Sequence, residues 1–234
     1  MGSPALSSPV AIRCRGILFD MDGILISSLA GVERSWHAWA RMRGLDAVET
    51  LRLAHGRRAI ETVALLRPDL DSEAELKVIE DLEVADNEGI TVLPGVRELL
   101  AALPPGAWTV VTSATERLAR VRLAAAGIPA PRQLVTADRV ARGKPHPEPF
   151  LTGAALLGLP PETCVVFEDS ESGAMAGRAA GCTVVATTFS HPAESLRAAH
   201  YLVRDLTGVS VMREGDGLAL RFVPLAWSGQ SEIR

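Results

Sequence analysis

The chain has 234 residues, 47% of them apolar and 22% charged, with a formal net charge of −4. That balance describes a globular chain long enough for one large core or a core with a smaller companion, and it offers no basic stripe for a nucleic-acid backbone. No apolar run reaches the length of a membrane span, and the opening MGSPALSSPV lacks the basic-then-apolar order of a secretory leader. Neither nucleic acid nor membrane is therefore expected as a partner. Three cysteines, Cys14, Cys164 and Cys182, in no CxxC spacing, fit reduced core thiols in a cytoplasmic protein.

Residues 1–10 read as a lead-in. The first buried-strand signal is Ile17–Phe19, and in GILFDMDGIL it runs directly into Asp20, Asp22 and Gly23. Residues 27–92 then change period: Leu29, Val32, Trp36 and Trp39 recur at helical spacing, as do Ile60, Val63 and Ala64, and later Leu76, Ile79 and Leu82. No strand-like run interrupts them. The pattern predicts an all-helical domain over 27–92, inserted into an α/β core made of 11–26 and 93–234. Trp36 and Trp39 are expected in the packing between its helices, and the Pro-Gly breaker in Thr91–Val96 suits a hinge.

Beyond the return point, apolar runs at Trp108–Val111, Gln133–Val135, Cys164–Phe167, Thr183–Ala186 and Tyr201–Val203 alternate with the helix-like stretches Val96–Leu103, Glu116–Ala126, Pro149–Leu157 and Ser172–Ala180. Strands that are apolar throughout and alternate with helices predict a Rossmann-like parallel sheet covered on both faces. The alternation of Val209–Phe222 about Glu214-Gly215-Asp216-Gly217 predicts a β-hairpin.

Ligands of open parallel sheets bind outside the carboxyl ends of the strands. Asp20 and Asp22 follow the first strand, Thr112, Ser113 and Ala114 the second, Gly143-Lys144-Pro145 the third, and Glu168 and Asp169 the fourth. Gathered carboxylates raise one another's pKa unless a cation joins them, and an all-oxygen set suits Mg²⁺. An aspartate is a competent nucleophile toward phosphorus. Asp20 would attack; Asp22 would protonate the leaving oxygen and later deprotonate the hydrolytic water. Ser113 and the backbone N–H groups beside it, at Ala114, would hold phosphoryl oxygens, Lys144 would stabilise their charge, and Asp169 would anchor the metal with Glu168 close by.

The ordered stretches FDMDG, VVTSA, GKPHPEPF and VVFEDSESGAMAGRAAG resemble the four motifs of the haloacid dehalogenase (HAD) superfamily of phosphatases, and the helical insert resembles the cap of its first subclass. The stretches GVERSWHAWARMRGLD, HGRRAIETV and GITVLPGVRELL are most similar to bacterial sugar phosphatases and to the 2-deoxyglucose-6-phosphate and glycerol-phosphate phosphatases. The resemblance implies a Mg²⁺-dependent phosphatase of small sugar or polyol phosphate monoesters, working through an aspartyl phosphate. It also implies metal ligation by Asp20 and Asp169 and by the backbone carbonyl of Asp22. In the HGRR loop, which carries His55, Arg57 and Arg58, it assigns Arg58 to the substrate.

Two positions depart from the family pattern: Ile24 stands where these phosphatases have threonine, and Ser27 where they have an acid. Ile24 is the motive for a rival reading, a phosphosugar mutase of the β-phosphoglucomutase type. A catalytically silent sugar-phosphate binding protein is a third reading. No long exposed apolar face forces a dimer, so a monomer or weak homodimer is expected.

Overall fold

A computed structural model describes residues 8–54 and 58–226. Five parallel strands form the central sheet: β2 (Gly16–Phe19), β5 (Trp108–Val110), β6 (Cys164–Glu168), β7 (Thr183–Thr187) and β8 (Tyr201–Val203), in the order β5-β2-β6-β7-β8. Helices α5 (Val96–Ala102), α6 (Glu116–Ala125), α7 (Glu148–Leu156) and α8 (Glu171–Ala179) connect them.

The sheet divides the core in two because successive side chains of a strand point to opposite faces. Ile17, Phe19, Val165 and Phe167 pack on one face, whereas Leu18, Cys164 and Val166 pack on the other. On the first face Phe19 stacks on Phe167 at 5.3 Å and meets Trp108 edge-on at 5.9 Å. Cys14, Cys164 and Cys182 are buried free thiols, as expected. Burial pushes the Cys14 and Cys182 thiols up to about 12, which makes them inert.

The helices α1 (Leu29–Met42), α2 (Ala47–Ala54), α3 (Ala59–Leu66) and α4 (Ser72–Ala85) pack about a separate cluster of Trp36, Trp39, Val63 and Ile79. The two indoles meet edge-on at 5.6 Å. Trp39 Nε1 donates to Glu75 at 2.7 Å, and Arg43 completes that buried carboxylate's bonding at 2.7 and 2.8 Å. The two chain crossings into this helical unit lie side by side as a short antiparallel ribbon, β3 (Ile26–Ser27) with β4 (Thr91–Val92).

The hairpin at the far end forms as expected, from β9 (Ser210–Glu214) and β10 (Gly217–Phe222). Two details differ from the expectation. The lead-in ends in a strand, β1 (Val10–Cys14), which pairs antiparallel with β10 from Val10↔Phe222 to Cys14↔Leu218. Five residues with a partner some two hundred positions away leave little local signal. Gln133–Val135 forms no extended strand: Val135 makes a single bridge to Val111, because Pro131 precedes it and a 3₁₀ turn at Ala137–Arg139 follows. Among the described residues no helix is long and apolar enough to cross a membrane.

Candidate active site

The turn after β2 explains the order strand, acid, acid, glycine. Asp20 remains in register, donating its N–H to the Phe167 carbonyl at 2.9 Å. The chain then folds over Met21, whose carbonyl accepts from Leu25 at 2.9 Å and Ile26 at 3.1 Å. Gly23 has φ +84°, and a Cβ there would lie 1.9 Å from Asp169 Oδ2, so both backbone and space require glycine.

Around that turn the strand ends bring three buried carboxylates together: Asp20, Glu168 and Asp169 offer oxygens all within 4.8 Å of one another. Lys144 Nζ bridges two of them, 2.5 Å from Asp20 Oδ1 and 2.6 Å from Glu168 Oε1. Glu168 Oε2 accepts from the backbone N–H groups of Asp169 and Ser170, each at 2.8 Å, and from the Ser170 hydroxyl at 2.9 Å. Asp169 accepts from the Ser190 hydroxyl, and His191 Nδ1 lies 2.9 Å from the Asp169 carbonyl oxygen.

One lysine does not balance three buried carboxylates. Burial pushes the Asp20 carboxyl up to about 7 against the pull of Lys144. Burial, then the charges of Glu168 and Asp20, hold Asp169 well above the carboxylate range. Glu168 stays low because Lys144 and its hydrogen bonds outweigh burial, and burial does not stop Asp20 and Glu168 from holding Lys144 charged. The surplus of negative charge on an all-oxygen donor set fits a hard divalent cation.

Asp22 stands apart from this cluster. Its Oδ1 accepts from the Ser28 hydroxyl at 2.5 Å and its Oδ2 from Arg122 Nη1 at 2.9 Å. Arg122, on α6, is buried, and its Nη2 lies 3.4 Å from Glu83 Oε1 on α4. Burial pushes the Glu83 carboxyl up to about 7; Arg122 opposes this, while Asp22 and Glu80 add to it. Glu80, one turn back, accepts from the Thr115 hydroxyl.

A cleft of about 280 Å³ opens between the sheet edge and the helical unit and joins these groups. Among the described residues six carboxylates and three permanent cations line it: Asp20, Asp22, Glu80, Glu83, Glu168 and Asp169 against Arg58, Arg122 and Lys144. Ser113 is exposed on its wall, beside the half-buried Ala114, whose N–H donates to Thr112 Oγ1 at 3.1 Å. Arg58, before α3, reaches across to the core and donates to the Ala137 carbonyl at 3.4 Å. A Cβ on Gly143 would lie 2.6 Å from Arg58 Cδ, so the glycine before Lys144 makes room for the arginine.

Other positions singled out by sequence lie elsewhere. Ile24 is buried in the main core and not in the cleft, so the apolar exchange is a packing matter. Within the stretches that carry the resemblance, Glu33 of GVERSWHAWARMRGLD is exposed and off the cleft, and His146 of GKPHPEPF accepts at Nδ1 from the Glu148 N–H at 3.1 Å. His55 and Arg57 lie outside the described residues. Sequence reasoning missed Ser28, Glu83, Arg122, Ser190 and His191. Glu83 and Arg122 sit in unbroken helical patterns, where an inward polar side chain looks like a solvated one.

The haloacid dehalogenase-like hydrolase family matches residues 14–181. The chain is 42% identical to hexitol phosphatase A of Escherichia coli, over 88% of this chain and 98% of that protein. It is 34% identical to glycerol-1-phosphate phosphohydrolase 2 of Saccharomyces cerevisiae, over 78% and 79% respectively. The fold is similar to that of CbbY from Rhodobacter sphaeroides, solved with phosphate, at a TM-score of 0.74 and 22% identity over 83% of this chain and 95% of that one. Family match, curated relatives and fold agree: the chain belongs to the haloacid dehalogenase-like hydrolases.

Proposed function

We propose that this chain hydrolyses phosphate monoesters of small sugars or polyols through an aspartyl phosphate on Asp20. The observation that carries the reading is the juxtaposition of Asp20 with Lys144, Glu168 and Asp169 at the floor of a cleft walled by a second, helical unit. Similarity to hexitol and glycerol-1-phosphate phosphatases supports the substrate class. Residues 27–92 would act as a cap over a core of 11–26 and 93–234, with the β3–β4 ribbon as its neck.

Asp20 Oδ2 would attack phosphorus while the ester P–O bond breaks, and Asp22 would give a proton to the departing oxygen. Asp22 would then take a proton from water, whose oxygen attacks phosphorus, breaks the Asp20–phosphorus bond and releases phosphate. Lys144 and Ser113 would hold the phosphoryl oxygens, and Arg58 would contact the substrate from the cap side. Asp20, Asp169 and the Asp22 carbonyl would hold Mg²⁺, which when bound supplies positive charge against the phosphoryl oxygens. The cap would exclude bulk water from the intermediate.

The large apolar side chains exposed among the described residues, such as Val48, Met175 and Met212, lie on different elements, which supports a monomer or weak homodimer. Free phosphate released from hexitol and glycerol phosphates, with and without Mg²⁺, tests the reading. Turnover is expected in the wild type with metal and none in Asp20→Asn. Near-normal release by Asp20→Asn would overturn it, and binding without hydrolysis by the metal-loaded wild type would favour a silent binding protein.

A further inference from the structure

We infer that Glu83 and Arg122 form a hydroxyl-reading subsite beside Asp22, one that recognises the hydroxyl groups next to the phosphate ester. The two side chains come from opposite walls of the cleft, Glu83 from α4 of the helical unit and Arg122 from α6 of the core, and lie 3.4 Å apart. The subsite rests on the phosphatase reading above and adds to it the residues that read the alcohol.

Glu83 is the telling residue. Its side chain is only 11% exposed, yet its carboxylate accepts no hydrogen bond among the described residues and has Arg122 as its ionic neighbour. Its oxygens are not sealed in the interior but open onto the cleft, where a hydroxyl of the ligand can reach them and donate. Arg122 supplies the complement. One of its N–H groups is held by Asp22 at 2.9 Å, which fixes the guanidinium while leaving further donors in its fork. Of two neighbouring hydroxyls, one would donate to the Glu83 carboxylate and the oxygen of the other would accept from Arg122.

The position follows from Asp22. The acid that protonates the leaving oxygen must lie against it, so a guanidinium bonded to that acid sits beside the carbons next to the ester. Val32, Trp36 and Leu76 line the same cleft and offer an apolar wall to the carbon chain. A second phosphate in this place would meet Glu83 and Glu80, with Arg122 already shared with Asp22.

Glycerol 1-phosphate and propyl phosphate share a carbon chain and differ only in the two hydroxyls. The wild type is expected to prefer glycerol 1-phosphate in kcat/KM. Glu83→Leu should reduce that preference at least about tenfold, and Glu83→Gln, which keeps a neutral acceptor, by about threefold. An unchanged preference in a Glu83→Leu protein that still hydrolyses propyl phosphate overturns the subsite, as does a wild type with no preference. If Glu83→Leu does not fold, an unchanged preference in Glu83→Gln overturns it equally. A wild type that releases phosphate from neither ester nor from a hexitol phosphate overturns the phosphatase reading itself.

Discussion

Lys144 Nζ lies 2.5 Å from Asp20 Oδ1, and its remaining hydrogens reach Glu168 Oε1 at 2.6 Å and the Val111 carbonyl at 3.1 Å. The ammonium thus joins acids from two adjacent strands, and Phe150 packs under it at 5.2 Å. Removing one partner of a buried ionic group leaves uncompensated charge. Lys144→Ala is expected to lose about 3–5 kcal/mol of stability in the absence of divalent metal, seen as a lower melting temperature. Saturating Mg²⁺ should recover part of that loss without restoring phosphate release. An unshifted melt in metal-free Lys144→Ala would show that the carboxylate cluster does not depend on this cation.

Glu168 is also held from below. A Cβ on Gly173, in the first turn of α8, would lie 1.8 Å from Glu168 Oε1 and 1.9 Å from its Cδ. Alanine normally favours a helix over glycine by about 1 kcal/mol. Here overpacking should outweigh that gain, so Gly173→Ala is expected to destabilise the protein by roughly 1–3 kcal/mol and to weaken Mg²⁺ binding. Denaturant melts and calorimetric titration with Mg²⁺ read the two effects. A more stable Gly173→Ala with full metal affinity would mean that Glu168 is free to move aside.

The main sheet and the acids at its edge were legible because both are local signals repeated along the chain. An apolar run that ends in acids marks a strand's carboxyl end wherever it occurs, so Asp20 and Asp169 could be grouped without knowing any distance, whereas Lys144 was placed with them through Gln133–Val135, which makes only a single bridge. Arg122 was not legible. It lies in RVRLAA, where nothing local separates an arginine turned inward to Asp22 from one facing water, and its partner Asp22 is 100 positions away. β1 escaped notice for the same reason, since its partner β10 lies at the other end of the chain. Long-range pairings between single residues leave no periodicity to read.

Arg122 fixes the orientation of Asp22 together with Ser28. A lysine at that position has one point of attachment and does not hold Asp22 and face Glu83 with a planar fork. Arg122→Lys is therefore expected to lower kcat about 10–100-fold through misplacement of the acid, with a smaller change in KM for p-nitrophenyl phosphate. Its leaving group needs little protonation, so the loss should be larger with an alkyl phosphate. Steady-state kinetics on both esters decide the matter: equal losses would point to a general structural defect instead.

Glu83 gives the fold a pH dependence whose sign follows from its raised carboxyl pKa. The folded value, about 7, exceeds the ordinary 4.5 because of burial. Below about pH 4.5 the group is protonated in both states and costs nothing. Between 4.5 and 7 the unfolded chain ionises first, so stability falls as pH rises, and above 7 the cost is constant at about 3 kcal/mol. Glu83→Gln removes the titration. The difference in melting temperature, variant minus wild type, should be smallest near pH 4.5, grow in favour of the variant up to pH 7 and then level off. Melts of metal-free protein across that range check this, and a difference that stayed flat would mean that Arg122 keeps Glu83 ionised throughout.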